Sequence, residues 1–122
     1  MRKGITIVVS DRNPNVRELL KREMIEEGHR VRIARNAKEV LRCISHNEPV
    51  DILILDPNLP DASEVNILEK INRLTSSFTL IVHAFPYDFN QDDMAGKAFY
   101  VEKGEDSIEQ LKKMIKLASN EK

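Results

Sequence analysis

The stretch Val50-Asp51-Ile52-Leu53-Ile54-Leu55-Asp56 decides the fold, because it is an almost continuous apolar run that ends on a carboxylate. Short apolar runs of this kind are typical of strands that are covered on both faces, as in a parallel sheet. The run predicts a strand over Val50–Leu55 and leaves Asp56 at the carboxyl end of that strand. A second covered strand is predicted over Ile5–Val9, and it ends at Ser10-Asp11.

Outward from these two strands, strand-like and helix-like segments alternate along the chain. Three further strands are predicted over His29–Ala34, Phe78–Val82 and Ala98–Val101. Apolar residues at helical spacing predict helices from Pro14 to a stop at Gly28, over Ala37–Ile44, over Val65–Leu74 and over Ile108–Leu117, with a short or irregular fourth helix in Tyr87–Gly96. The alternation indicates a single α/β domain of the (βα)5 type, a three-layer sandwich with right-handed crossovers around a parallel sheet.

Length and composition limit the class of protein. The 122 residues suffice for one domain, expected over 1–122 and standing alone, and 41% hydrophobic with 32% charged residues is typical of a soluble globule. A formal net charge of -1 gives no reason to expect binding to nucleic acid or insertion into a membrane. The single cysteine, Cys43, cannot form an internal disulfide, so a reducing cytoplasmic location is expected.

Charged side chains follow several of the predicted strands. Asp11 follows the first strand, Asp56 the third, His83 stands at the end of the fourth and Lys103 follows the fifth. Ligands of parallel α/β folds bind beyond the carboxyl ends of the strands, so these side chains are expected to share one pocket. Two carboxylates suit a hard divalent ion, most plausibly Mg²⁺, and Lys103 could neutralise the cluster or hold a phosphoryl oxygen.

The same residues resemble the receiver domain of two-component response regulators, the CheY-like superfamily. The resemblance covers essentially the whole chain and is carried by Asp11, Asp56-Pro57-Asn58-Leu59-Pro60, Ala84 and Tyr100-Val101-Glu102-Lys103, with Lys103 standing 47 residues after Asp56. It implies a flavodoxin-like sheet of strand order 2-1-3-4-5. It also implies that Asp56 accepts a phosphoryl group from a histidine kinase or a phosphotransfer protein.

The resemblance also implies a role for each matching residue of the pocket. Asp56 would be the nucleophile that forms an acyl phosphate. Asp11, Asp56 and the backbone carbonyl of Asn58 would hold Mg²⁺, and Lys103 would pair with a phosphoryl oxygen.

His83 and Tyr100 match the switch pair through which the family transmits phosphorylation. In the family, a hydroxyl at the first position moves toward the phosphoryl group while the aromatic ring at the second turns inward. Output would then follow from changed contacts with a downstream protein target rather than from direct binding to nucleic acid. A homodimer is left open.

Five positions depart from the family pattern and describe a partly degenerate site. Ser10 replaces one of the two acidic residues after strand one, where its hydroxyl would hold a metal-bound water. Pro57 removes a main-chain N–H beside the phosphoryl group. His83 replaces the usual Thr or Ser, Gly104 replaces the proline after the lysine and is expected to loosen that loop, and Glu64 replaces a common glycine.

Two functions therefore remain open. The first is a receiver that is phosphorylated at Asp56, and the alternative is a pseudo-receiver that binds proteins independently of phosphorylation. The structural alternative is that Asp56 only caps the loop that follows its strand. An enzyme is not expected, because the chain has no second acid two residues after Asp56 and no glycine-rich phosphate loop.

Overall fold

The strands form one parallel sheet whose order is β2-β1-β3-β4-β5. The computed structural model describes residues 4–45, 49–74, 77–90, 94 and 97–120. Within them the strands are Thr6–Ser10 (β1), Arg30–Ala34 (β2), Ile52–Leu55 (β3), Thr79–Ala84 (β4) and Ala98–Glu102 (β5). The predicted α/β class and the strand order are confirmed, and most strand bounds differ from the predicted ones by one or two residues.

The helices of the described residues are Pro14–Glu26 (α1), Ala37–Ser45 (α2), Ala62–Val65 (α3), Ile67–Asn72 (α4) and Ser107–Asn120 (α5), with a 3₁₀ turn at Pro86–Asp88. Helix α1 begins where Asn13-Pro14 predicts, since the Asn13 side chain accepts a 2.8 Å hydrogen bond from the Asn15 N–H. Helix α2 begins with a similar cap, in which Asn36 Oδ1 accepts from the Glu39 N–H at 2.8 Å.

Helices cover both faces of the sheet and bury two separate apolar clusters. Successive strand residues point to opposite faces, so Ile7 and Val9 join one cluster while Val8 joins the other. The first cluster packs the sheet against α1 and α5, and the second packs it against α2, α3 and α4. These layers confirm the three-layer sandwich.

The parallel register aligns the carboxyl ends of the central strands. Val9 pairs with Ile54, Leu55 with Val82, and Ala84 with Glu102. The residues that follow these pairs therefore emerge at the same edge of the sheet, which is where the candidate site lies.

The predicted third helix is divided in two, which corrects the expectation of one helix over Val65–Leu74. Asn66 adopts the left-handed conformation with φ 55° and ends α3 immediately before α4 begins. Asparagine tolerates this conformation better than other residues with a side chain, because its short amide can hydrogen-bond locally. Apolar periodicity continues across the break, so the pattern alone did not reveal it.

The structure also differs from the sequence prediction in two smaller details of the helices. Of the irregular helix expected in Tyr87–Gly96, the described residues show the end of the 3₁₀ turn, while 91–93, 95 and 96 lie outside the described residues. Leu117, at the end of the predicted last helix, is 66% exposed, whereas Ile115 two residues earlier is buried. None of the described helices is long and apolar enough to span a membrane.

Candidate functional site at the carboxyl edge of the sheet

Two fully buried carboxylates form the floor of the site. Asp11 follows β1 and Asp56 follows β3, and both are 0% exposed because their strands are covered on both faces. Asp11 Oδ1 accepts a 2.8 Å hydrogen bond from the Asn13 N–H, and Asp56 Oδ1 accepts one of 2.9 Å from the Asn58 N–H. Buried charges of this kind require cations nearby.

Lys103 supplies the first of those cations. Its Nζ lies 3.0 Å from Asp11 Oδ2 and 3.6 Å from Asp56 Oδ2, and its side chain is only 10% exposed. The residue directly follows β5, and its N–H donates to the Ala84 carbonyl at 2.9 Å. The ammonium also lies over the Phe85 ring at 5.5 Å from the centroid, a favourable cation–π contact. The structure thus brings together Asp11, Asp56 and Lys103, as the sequence predicted.

Arg12 supplies a second cation that the sequence analysis did not identify. Its backbone N–H donates to Asp56 Oδ2 at 2.9 Å, and its side-chain Nε lies 3.2 Å from the same oxygen. Its Nη2 lies 2.7 Å from Asp88 Oδ2. This hydrogen bond to Asp88 is the main cause of a raised pKa of the guanidinium, with smaller contributions from the charges of Asp56, Asp88 and Asp11.

Asp88 is the second site residue that sequence reasoning missed. It lies in the 3₁₀ turn after β4, and its Oδ1 also accepts a long hydrogen bond of 3.4 Å from the Asn58 side-chain amide. The residue therefore connects the loops after β1, β3 and β4. The only sequence signal was an arginine beside Asp11 and an acid in the weakly patterned segment, which do not indicate a contact across 76 positions.

Ser10 connects two central strands beneath the site. Its buried hydroxyl donates to the Ile54 carbonyl at 2.9 Å and accepts from the Asp56 N–H at 3.1 Å. The hydroxyl hydrogen is therefore engaged with β3. Pro57, which has no N–H, is also buried. The hydrogen bond that Asp56 Oδ1 accepts from the following loop comes from Asn58, two residues on.

His83 is enclosed at the end of β4. It is 2% exposed, and among the described residues neither ring nitrogen has a hydrogen-bond partner. Its pKa is lowered to about 4, mainly by burial and also by the positive charge of Lys103, while the negative charge of Asp56 opposes both effects. The imidazole is therefore neutral at neutral pH.

Tyr100 is hydrogen-bonded to β4, the strand that carries His83. Its hydroxyl donates to the Ala84 carbonyl at 3.0 Å, and its ring stacks on Phe89 with 5.8 Å between centroids. Burial raises the pKa of its phenol, with a smaller effect from the negative charge of Glu102. The Ala84 carbonyl thus accepts from both Tyr100 and Lys103.

The last two departures from the family pattern have few consequences here. Gly104 has open space where a side chain would be attached, and its carbonyl accepts from the Ser107 N–H at 3.2 Å. Glu64 is exposed in α3.

The carboxylate oxygens of the site suit a hard divalent ion, but two cationic side chains already lie against them. Asp11 and Asp56 offer carboxylate oxygens, which are the ligands that such an ion prefers. No group of three His, Cys, Asp or Glu side chains is gathered in the described part of the chain. An added ion would therefore have to share Asp56 with Lys103 and Arg12.

Comparison with known proteins places this geometry in context. A sequence model described as "Response regulator receiver domain" matches residues 7–116, while no curated protein matches the chain. Among solved structures, response regulator TrrA from Thermotoga maritima in complex with Mg²⁺-BeF is 29% identical with a TM-score of 0.78, over 93% of this chain and 98% of that one.

Two further structures are similar. TrrA in its complex with histidine kinase ThkA is 30% identical with a TM-score of 0.76, over 93% of this chain and 97% of that one. A response regulator receiver domain protein from Clostridium thermocellum is 25% identical with a TM-score of 0.81, over 96% of this chain and 95% of that one.

Proposed function

Because this chain belongs to the response regulator receiver domain family, we propose that it accepts a phosphoryl group on Asp56 in two-component signal transduction. The observation that carries the proposal is a buried carboxylate at the end of β3 with the Lys103 ammonium 3.6 Å from it. The phosphoryl donor is a histidine kinase or a phosphotransfer protein, supported by the similarity to TrrA, which has been solved in complex with the kinase ThkA.

The transfer is a substitution at phosphorus. An oxygen of Asp56 forms the new O–P bond, the P–N bond to the donor's histidine breaks, and the released imidazole nitrogen takes up a proton. Lys103 is near enough to pair with a phosphoryl oxygen once Asp56 is modified. The Asn58 N–H, which now donates to Asp56, is the nearest main-chain donor in the loop after Pro57.

Mg²⁺ is the proposed cofactor, held by Asp11, Asp56 and the backbone carbonyl of Asn58. When bound, it neutralises negative charge on the transferring group. Support comes from the two buried carboxylates and from TrrA, which is described in complex with Mg²⁺-BeF. Ser10 contributes indirectly, because its hydroxyl holds the Asp56 N–H and thereby the position of the nucleophile.

Output is proposed to pass through His83 and Tyr100 to a downstream protein. The neutral His83 imidazole has an unused N–H that can donate to a phosphoryl oxygen on Asp56. A movement of His83 toward that oxygen would shift the end of β4, whose Ala84 carbonyl accepts a hydrogen bond from the Tyr100 hydroxyl. The role is one of signalling by changed protein contacts rather than of an enzyme.

The decisive experiment incubates the protein with Mg²⁺ and acetyl phosphate and measures intact mass. We expect a gain of one phosphoryl group, lost in Asp56→Asn and retained in Asp106→Asn, a matched variant at an exposed acid. Acetyl phosphate transfers its phosphoryl group with cleavage of its P–O bond and release of acetate. Absence of the adduct in the wild-type protein across all donor concentrations would contradict the proposal.

A pseudo-receiver that binds proteins without phosphorylation is the second candidate. It is favoured by one observation, that the two buried carboxylates already face two cations, Lys103 and Arg12, without an added ion. For this function, Asp56→Asn would leave binding to the partner unchanged in a pull-down with the purified cognate protein. Loss of that binding in Asp56→Asn would rule it out.

A further inference from the structure

The Arg12 guanidinium lies between two acids from different parts of the chain. Its Nε is 3.2 Å from Asp56 Oδ2 and its Nη2 is 2.7 Å from Asp88 Oδ2. Two carboxylates joined through one positive charge is the arrangement that a divalent ion would otherwise provide. The planar guanidinium, which keeps its charge at any accessible pH, is well suited to bridge them.

Two further hydrogen bonds restrain this bridge between Asp56 and Asp88. The backbone N–H of Arg12 also donates to Asp56 Oδ2, which restrains the loop after β1 from which the side chain extends. Asp88 is itself restrained, since its second oxygen accepts from the Asn58 amide. The Arg12 side chain is 34% exposed, so a path to solvent exists if it leaves Asp56.

We propose that Arg12 is a built-in cation that competes with Mg²⁺ for Asp56, and that Asp88 holds it in that position. This inference rests on the metal-dependent function proposed above and adds a regulatory residue to the same site. Metal can bind only after the guanidinium moves off Asp56 Oδ2 toward solvent. Arg12 therefore sets the Mg²⁺ concentration at which the pocket becomes competent.

The test is a Mg²⁺ titration of the unphosphorylated protein, followed by the amide NMR shifts of Asn13, Asn58 and Gly104. Arg12→Gln removes a full positive charge 3.2 Å from the shared oxygen, so its Kd for Mg²⁺ should fall roughly ten-fold or more relative to the wild-type protein.

Two variants with the same change in net charge serve as controls. Arg17→Gln removes a nearby cation whose Nη1 donates to the backbone carbonyl of Asp11 at 2.9 Å. Arg73→Gln removes an exposed cation paired with Glu69 at the end of α4. We expect both to stay within about three-fold of the wild-type Kd, because neither cation touches a carboxylate of the pocket.

An equal Kd in the wild-type protein and Arg12→Gln would overturn the inference, as would an equal gain in Arg17→Gln, which would indicate a general field effect. If Arg12→Gln does not fold, the Nε–Hε signal of Arg12 in the wild-type protein decides. It should be protected from exchange without Mg²⁺ and lose that protection at saturation, whereas an unchanged signal contradicts competition. Since no phosphoryl donor is present, failure here is distinguishable from failure of phosphorylation at Asp56.

Discussion

His83 gives the clearest case of a single residue whose chemistry is set by its surroundings. A histidine at this position could be a hydrogen-bonding cation or a neutral ring, and burial beside the Lys103 ammonium selects the neutral ring. The unfolded chain would return its pKa to about 6.5, so the folded and unfolded states bind different numbers of protons between the two values.

We predict that His83 makes the free energy of unfolding fall as pH decreases from about 6.5 toward 4. Below about pH 6.5 the imidazole takes up a proton in the unfolded chain but stays neutral in the folded protein. Protonation therefore favours the unfolded state, and the stability present above pH 6.5 is lost as the pH falls toward 4. Between about pH 7.5 and about pH 5 the loss should be about 2 kcal/mol. Urea unfolding of the wild-type protein at both pH values measures it.

His83→Thr is the comparison for this prediction. The variant should lose about 2 kcal/mol less over the same pH interval, while half-buried His29, whose pKa is also lowered, continues to contribute in both proteins. The same pH dependence in both proteins would show that the His83 pKa is not depressed.

At the scale of elements, the break between α3 and α4 depends on one backbone conformation. Asn66 is the only described residue other than glycine with a positive φ. Its N–H donates to the Ser63 carbonyl at 3.3 Å, which ends α3, and its carbonyl accepts from the Lys70 N–H, which begins α4. The break turns the chain so that Ile67 and Ile71 reach the second apolar cluster.

We predict that Asn66→Gly leaves stability unchanged or raises it slightly, while Asn66→Ala lowers the free energy of unfolding by about 1 kcal/mol. Glycine adopts positive φ without a steric penalty, whereas the Cβ of alanine opposes it. Asn15→Ala is a suitable control, because Asn15 is exposed in the right-handed helix α1. Urea unfolding would contradict the prediction if Asn66→Ala and Asn15→Ala had the same effect.

At the scale of the whole molecule, the central strands share both apolar clusters while the edge strands are only partly covered. Every residue of β1 and β3 is buried, and five of the six residues of β4 are. In contrast, β2 and β5 each have a single buried residue. The site carboxylates thus follow two of the best-covered strands, which keeps Asp11 and Asp56 in place despite their burial cost.

We predict that amide hydrogen exchange is slowest in β1, β3 and β4 and faster in β2 and β5. Exchange in the covered strands should require global unfolding, whereas the edge strands can open locally at lower free energy. Hydrogen exchange followed by NMR measures each strand separately. Protection factors in β5 equal to those in β3 would contradict this order.

The sequence alone determined the α/β class, the helix starts at Pro14 and Ala37, and the meeting of Asp11, Asp56 and Lys103. These features follow from local patterns and from one general property, that parallel strands deliver their carboxyl ends to the same edge. The resemblance added the strand order, which the sheet confirms. Residues that directly follow the strands of a parallel sheet are therefore predictable without coordinates.

Only the tertiary structure decided what surrounds those residues. The bridge from Arg12 to Asp88 joins positions 76 residues apart, and its geometry depends on how the turn after β4 packs over the loop after β1. The left-handed break at Asn66 and the burial of both His83 nitrogens likewise depend on packing rather than on local pattern. Side-chain direction and loop position are set by contacts distant in sequence, and hydrophobic periodicity carries no information about them.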